Sequence, residues 1–156
     1  MSTFTLEVSH AQIAVFDSRL ANPFNDWSDV HVNQGFSWRA GSVSFATLEP
    51  AGPIAVTVTR SATALVTDEP QERAIRVPFS VPAHGEVEIA TISGSVPVQL
   101  AEGEYALTFR HGRSSLGAMW AMLAFEPVVV PVKAEILCAD AALTPPANLL
   151  MTAQPA

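Results

Sequence analysis

Alternation of apolar and polar residues with a period of two dominates this chain, the mark of half-buried β-strands. In Ile54-Ala55-Val56-Thr57-Val58-Thr59, the Ile and both Val point one way and the Ala and both Thr the other. Tyr105, Leu107 and Phe109 share a face; Ile75, Val77 and Phe79 oppose Arg76 and Ser80; Val96, Val98 and Leu100 repeat the pattern. Glu86 and Glu88 fall on the solvent side of Val87 and Ile89. Between these runs stand residues that preset or permit turn dihedrals: Pro50-Ala51-Gly52-Pro53, Asp68-Glu69-Pro70, Pro82-Ala83-His84-Gly85, Ser93-Gly94 and Ala101-Glu102-Gly103. Strands at this spacing, with no long amphipathic helices between them, predict an all-β fold, an antiparallel β-sandwich with one or two short helices. Pro78, Pro97, Pro127 and Pro131 interrupt strand-like runs. Proline has no N–H for a ladder, so these positions are expected at edges, strand ends or bulges.

One segment breaks the alternation. Asn25-Asp26-Trp27-Ser28-Asp29-Val30-His31-Val32-Asn33-Gln34-Gly35-Phe36-Ser37-Trp38 holds two of the three Trp and two carboxylates. Ser28 is placed to cap a helix, Asp29 suits its first turn through the helix dipole, and Gly35 suits a left-handed stop. About two turns of helix are predicted there. Residues 115–125 (Leu116, Met119, Trp120, Leu123) fit a second helix and fit a buried strand equally well. After Cys138, Pro145-Pro146 and Pro155 among Ala and Leu predict an irregular or partly disordered strap. The expected organisation is one sandwich domain over 1–137 and an irregular tail over 138–156.

At 156 residues the chain is long enough for one domain with a real core. Hydrophobic residues at 49% and charged residues at 15% argue against global disorder. The longest apolar run, 116–125, is too short to span a membrane. The N-terminus lacks a basic region followed by an apolar core, and the single Cys138 excludes an internal disulfide framework. These features predict a soluble cytoplasmic protein with no membrane span. Fifteen acidic residues against eight basic ones give a formal net charge of −7, and Lys133 is the only lysine. Direct nucleic-acid binding needs cations to replace phosphate counterions, and this balance opposes it. The charge fits a basic partner or plain solubility.

Candidate chemistry is sparse. His10, Asp17, Asp26, Asp29 and His31 contain ligand types, but Asp29 and His31 lack the spacing that puts two ligands on one helical face. Asp26 and Asp29 are explained by helix capping, so no metal is expected. Gly112-Arg113-Ser114-Ser115-Leu116-Gly117 lacks the Gly-x-Ser-x-Gly elbow of a hydrolase, and His111 beside it does not make a triad. Cys138, within Ile136-Leu137-Cys138-Ala139, reads as a small buried hydrophobe. With no Gly-rich phosphate loop either, no cofactor and no catalytic residue are expected. Trp27, Phe36, Trp38 and Phe45 suit either core or contact. Trp27, among Asn25, Asp26, Ser28 and Asp29, is the better interface candidate; Phe45, alternating with Val43, is the better core candidate.

Together these residues resemble a known family. Ser9-His10-x-Gln12-Ile13-x-Val15-Phe16, Asp26-Trp27-Ser28-Asp29, Gly35-Phe36 and Gly41-Ser42-Val43-Ser44-Phe45 look like the competence protein J family. Val77-Pro78-Phe79-x-Val81 and Leu100-x-x-Gly103-x-Tyr105-x-Leu107-Thr108 are similar to its later strands. The likeness runs from about residue 6 to about residue 110 and more loosely to Leu137, leaving out the tail. It implies a non-enzymatic protein that binds and inhibits the nuclease with which competent bacteria take in DNA. A nuclease must present positive charge to hold phosphates, so carboxylates suit its inhibitor. Asp26, Trp27, Asp29 and Trp38 are the partner-binding candidates, with Asp68, Glu69, Glu72, Glu86, Glu88, Glu102 and Glu104 as further exposed acids. The competing expectation is a small-ligand or carbohydrate-binding sandwich with Trp27 and Trp38 as stacking platforms.

Overall fold

A computed structural model describes residues 2–60 and 70–156. Eleven strands and one helix follow in the order β1 (Ser2–Val8), β2 (Gln12–Asp17), α1 (Asp29–Gln34), β3 (Phe36–Arg39), β4 (Ser42–Ala46), β5 (Gly52–Thr59), β6 (Gln71–Val81), β7 (Glu86–Thr91), β8 (Gly94–Gln99), β9 (Gly103–Arg113), β10 (Met119–Pro127) and β11 (Glu135–Cys138). They form a six-stranded sheet, β1-β5-β10-β9-β6-β11, facing a five-stranded sheet, β3-β4-β2-β7-β8. The fold is the expected all-β sandwich. One pairing departs from the antiparallel rule: β5 and β10 run parallel. They are remote in sequence, so no tight hairpin dictates their direction. The predicted turn at Asp68-Glu69-Pro70 begins outside the described residues, as do the acids Asp68 and Glu69.

The alternating runs deliver their apolar side chains to the space between the sheets. Ile13, Val43, Phe45, Ile54, Ile75, Leu107, Phe109 and Leu123 are all buried there. Phe45 of one sheet stacks on Phe109 of the other, with ring centroids 4.5 Å apart and planes 9° from parallel. Phe79, Tyr105 and Phe125 form a second aromatic knot with edge-on contacts at 6.2 Å, and the Tyr105 hydroxyl donates to Ala101 O at 2.7 Å. Each such ring is worth about 1.5–3 kcal/mol of burial.

Of the ambiguous stretch 115–125, residues 119–125 are strand and residues 115–118 are the turn before it, with Leu116 exposed, so the described residues hold one short helix. Its alternatives differ in what they bury. As β10 it lies between β5 and β9, where Ala121 to Phe125 are covered on both faces, and a two-faced buried strand is continuously apolar. The prolines sit where a missing N–H is tolerated. Pro97 is on the edge strand β8, Pro127 ends β10, and Pro131 lies in an irregular stretch. Pro78 is inside β6, but β11 pairs only with Ala74, Ile75 and Arg76, so that side of β6 is already open at Pro78.

Candidate functional site

The start of the candidate segment, with the residues just before it, lies over the outer face of the β3-β4-β2 sheet, where Phe24 packs edge-on against Phe16. Buried Asn25 fastens it. Its Nδ2 donates to Ser37 O at 2.8 Å and Ser42 O at 3.1 Å, and its Oδ1 accepts from Arg39 Nε at 2.7 Å. Ser37 Oγ donates to Asp26 O at 2.7 Å. A buried amide with these partners offsets its own desolvation and fixes the loop's path.

The helix starts as its sequence predicts. Ser28 is the N-cap: its Oγ accepts from His31 N at 3.3 Å, and its own N–H donates to His31 Nδ1 at 3.0 Å. This is a capping box with His in the place of the usual Glu or Gln. Because Nδ1 accepts a backbone proton, the ring hydrogen belongs on Nε2, which donates to Thr152 O at 2.8 Å. Gly35 ends the helix at φ 84°. A Cβ there would lie 3.0 Å from Leu143 Cδ2 and 3.2 Å from Ile75 Cδ1, so the left-handed conformation favours glycine and any side chain would also make these two neighbours give way.

The structure brings Asp26, Trp27 and Asp29 together and separates them from Trp38. Asp26 and Asp29 are exposed and Trp27 is half-buried, edge-on to His31 with its Nε1 donating to Gln12 Oε1 at 3.3 Å. Val30 and Val32 are exposed beside them. Trp38 is half-buried on the inner side of β3, packed against the core, with its Nε1 donating to Pro78 O of the opposite sheet at 2.8 Å. Ser37, between Phe36 and Trp38, points the other way, so the two indoles occupy opposite faces of one sheet. They do not form one stacking platform.

Asp26 does not cap the helix, contrary to the reading from sequence. Its N–H donates to Gln154 O at 2.8 Å and its Oδ1 accepts from Gln154 N at 3.0 Å. The carboxylate is drawn to the chain's far end because Ser28 already serves the helix N-terminus. The strap is held along the same segment by Thr144 N to Asn33 O at 2.9 Å and Ala156 N to Phe24 O at 2.9 Å. Buried Gln34 donates to Leu150 O and accepts from Leu150 N, both at 2.9 Å. At its start, Asp140 receives Arg73 Nε at 2.7 Å and Nη2 at 3.0 Å, while Arg73 Nη1 donates to Ala46 O at 2.8 Å. Burial pushes the Asp140 carboxyl up, but the Arg73 hydrogen bonds and charge outweigh it and hold it below the usual range. Asn25, Gln34, Arg73 and Asp140 escaped the sequence reading, since their partners lie far away along the chain.

The other groups weighed for chemistry are occupied. Asp17 Oδ1 accepts from His84 Nε2 at 2.8 Å, and His10 contacts Ser9 Oγ at 3.1 Å, at the opposite end of β2. Fully buried His111 donates from Nδ1 to Trp120 O at 2.7 Å and accepts Leu48 N on Nε2 at 2.9 Å. Burial lowers its pKa to about 4, partly opposed by the bond to Trp120. Cys138 is half-buried rather than buried, because β11 is an edge strand; its Sγ lies 3.6 Å from Glu72 O. Glu72 is also half-buried, not a free surface acid. Its hydrogen bond to Arg113 holds its carboxyl below the usual range. Among the described residues no His, Cys, Asp and Glu side chains converge as a metal site, and no helix is long and apolar enough to cross a membrane.

Among curated proteins, none matches the sequence. The crystal structure of ComJ from Bacillus subtilis, described as the inhibitor of the DNA degrading activity of NucA, is similar to this fold with a TM-score of 0.69. The two sequences are 22% identical, and the likeness covers 82% of this chain and 96% of that one. The family description "Competence protein J (ComJ)" matches residues 5–125, which hold both sheets up to Phe125 together with the Asp26-Trp27-Asp29 segment. This chain therefore belongs to the competence protein J family.

Proposed function

We propose that this protein inhibits a nuclease of the DNA-uptake type by binding it, and performs no chemistry of its own. The observation that carries the proposal is the family match over 5–125, joined to the nuclease inhibitor from Bacillus subtilis that shares the fold. The contact we assign is the exposed end of the 22–35 segment, with Asp26 and Asp29 flanking Trp27. A cleft that holds phosphates is cationic, and two carboxylates beside a half-buried indole on a fastened loop offer it complementary charge and a rigid apolar anchor. Trp38 contributes by locking β3 to the opposite sheet beneath that loop. The expected partner is a basic nuclease met in the cytoplasm, with no direct hold on nucleic acid.

The test is titration of the purified protein into a NucA-type nuclease while DNA cleavage is followed. Cleavage is expected to stop near equimolar protein, and inhibition to weaken as salt rises, because acid-to-base steering is screened within about 10 Å at 0.1 M salt. Full cleavage at a several-fold excess overturns the proposal. Asp29→Asn sharpens it: the exposed carboxylate supports the helix by only about 0.5 kcal/mol, so inhibition should fall several-fold while the fold holds.

A further inference from the structure

We propose that the groove between the free edge of β11 and the 145–151 stretch of the strap is a docking site for an extended peptide that ends in, or carries, a carboxylate. The proposal is independent of the nuclease reading and concerns a different part of the molecule.

The first observation is the edge. β11 is the last strand of its sheet and pairs on one side only, with β6. An edge strand presents a row of N–H and C=O groups that another extended chain can pair with. The second is the space beside it. A groove of about 870 Å³, within the range of ligand sites, lies beside the start of this strand, bordered by residues 132–136 and Arg76 and by the strap. Its walls are apolar: Ile136 on one side, Pro146, Leu149 and Met151 on the other. Pro145 and Pro146 have no N–H, so the strap there is poorly suited to complete the sheet itself.

The third observation is charge. On a chain of net charge −7, this groove is lined by Arg76 and by the only lysine, Lys133, against one acid, Glu135. Arg76 Nη2 donates to Glu135 Oε2 at 3.2 Å, and that ion pair is exposed. Arg76 Nε is buried and has no partner among the described residues. Glu135 balances one cation, which leaves the groove with one surplus positive charge. The complement is an extended segment whose backbone pairs with β11, whose alternate apolar side chains enter the groove, and whose carboxylate meets Lys133.

The test uses the full 15N-labelled chain and three hexapeptides of alternating Val and Thr: one with a free C-terminal carboxylate, its C-terminal amide, and a backbone N-methylated form. The free-carboxylate peptide is expected to move the amide signals of 133–138 and 147–151 saturably. Amidation, or Lys133→Glu in the protein, should weaken binding by about tenfold or more, as for loss of a charge-assisted hydrogen bond. N-methylation should abolish it. No shift at millimolar peptide overturns the proposal. So does equal binding of the N-methylated peptide, which would mean apolar contact without strand pairing. Concentration-dependent shifts of the same signals without peptide also overturn it, by identifying a second copy of the chain as the occupant.

Discussion

The space between the sheets and the C-terminal strap are held by different physics. Between the sheets, Phe45, Phe109, Ile54 and Leu123 bury apolar surface supplied by simple alternation along each strand. The strap lacks regular secondary structure; Leu143 is buried and Leu149 and Met151 pack on the core, but its path is set by named polar groups: Arg73 on Asp140, Gln34 on Leu150, His31 on Thr152 and Asp26 on Gln154. Burial is spread over many contacts, whereas each strap anchor depends on a few directed bonds of fixed geometry. The strap is therefore the region where a single substitution has a local effect, and the core is where it has a global one.

The comparison can be broken most forcefully at the inter-sheet stack. Phe109→Ala removes the ring that faces Phe45 and should cost about 3–5 kcal/mol in denaturant unfolding, with every region losing protection together. Asp140→Ala strands the Arg73 guanidinium, almost wholly buried at 4% side-chain exposure, and should cost about 3 kcal/mol. Here hydrogen exchange is the sharper measurement. The strap amides should open well before those of β9 and β10; simultaneous opening would show that the strap and core form one cooperative unit.

The third prediction concerns pH. His111 titrates at about 4 when folded against an ordinary value of 6.5, so between those values the unfolded chain binds more protons. Stability should therefore fall as pH drops from 6.5 towards 4, by about 3 kcal/mol at most from this group. Protonation would also end the bond that Nε2 accepts from Leu48 N. Unfolding curves across that range should show the slope in the native chain and lose it in His111→Gln. The smallest of these effects is expected at the helix start. Ser28→Ala removes the acceptor for His31 N and should cost about 1 kcal/mol, while exchange of the strap near Thr152 should change little, because the backbone N–H at 28 still holds the His31 ring.

How far the sequence could be read depends on the range of the interaction. The N-cap at Ser28, Asp29 in the first turn and the left-handed Gly35 were legible because cap and partner lie within one helical turn. Phe45 was legible as core because its neighbours Val43 and Ser44 show the alternation. Asp26 was misread as a capping residue because its true partner, Gln154, is 128 positions away. The stretch 115–125 stayed ambiguous because Leu116, Met119, Trp120 and Leu123 fit a helix as well as a buried strand; Leu116 stands exposed in a turn, and only the seat of residues 119–125 between β5 and β9 made them a strand. Trp27 and Trp38 looked alike in sequence, yet one lies outside the sheet and the other inside it.

By itself, then, the sequence determined that the fold is all-β, that runs such as 54–59, 75–79 and 105–110 are strands, and that a short helix starts at Ser28 and stops at Gly35. Those properties follow from side-chain periodicity and from hydrogen bonds between near neighbours. Tertiary structure alone decided the strand order, the parallel β5–β10 pair, the burial of His111 and Arg73, and the docking of the strap against Asp26 and Gln34. Each of these joins groups distant along the chain, and a composition or a period carries no record of which distant group will be met.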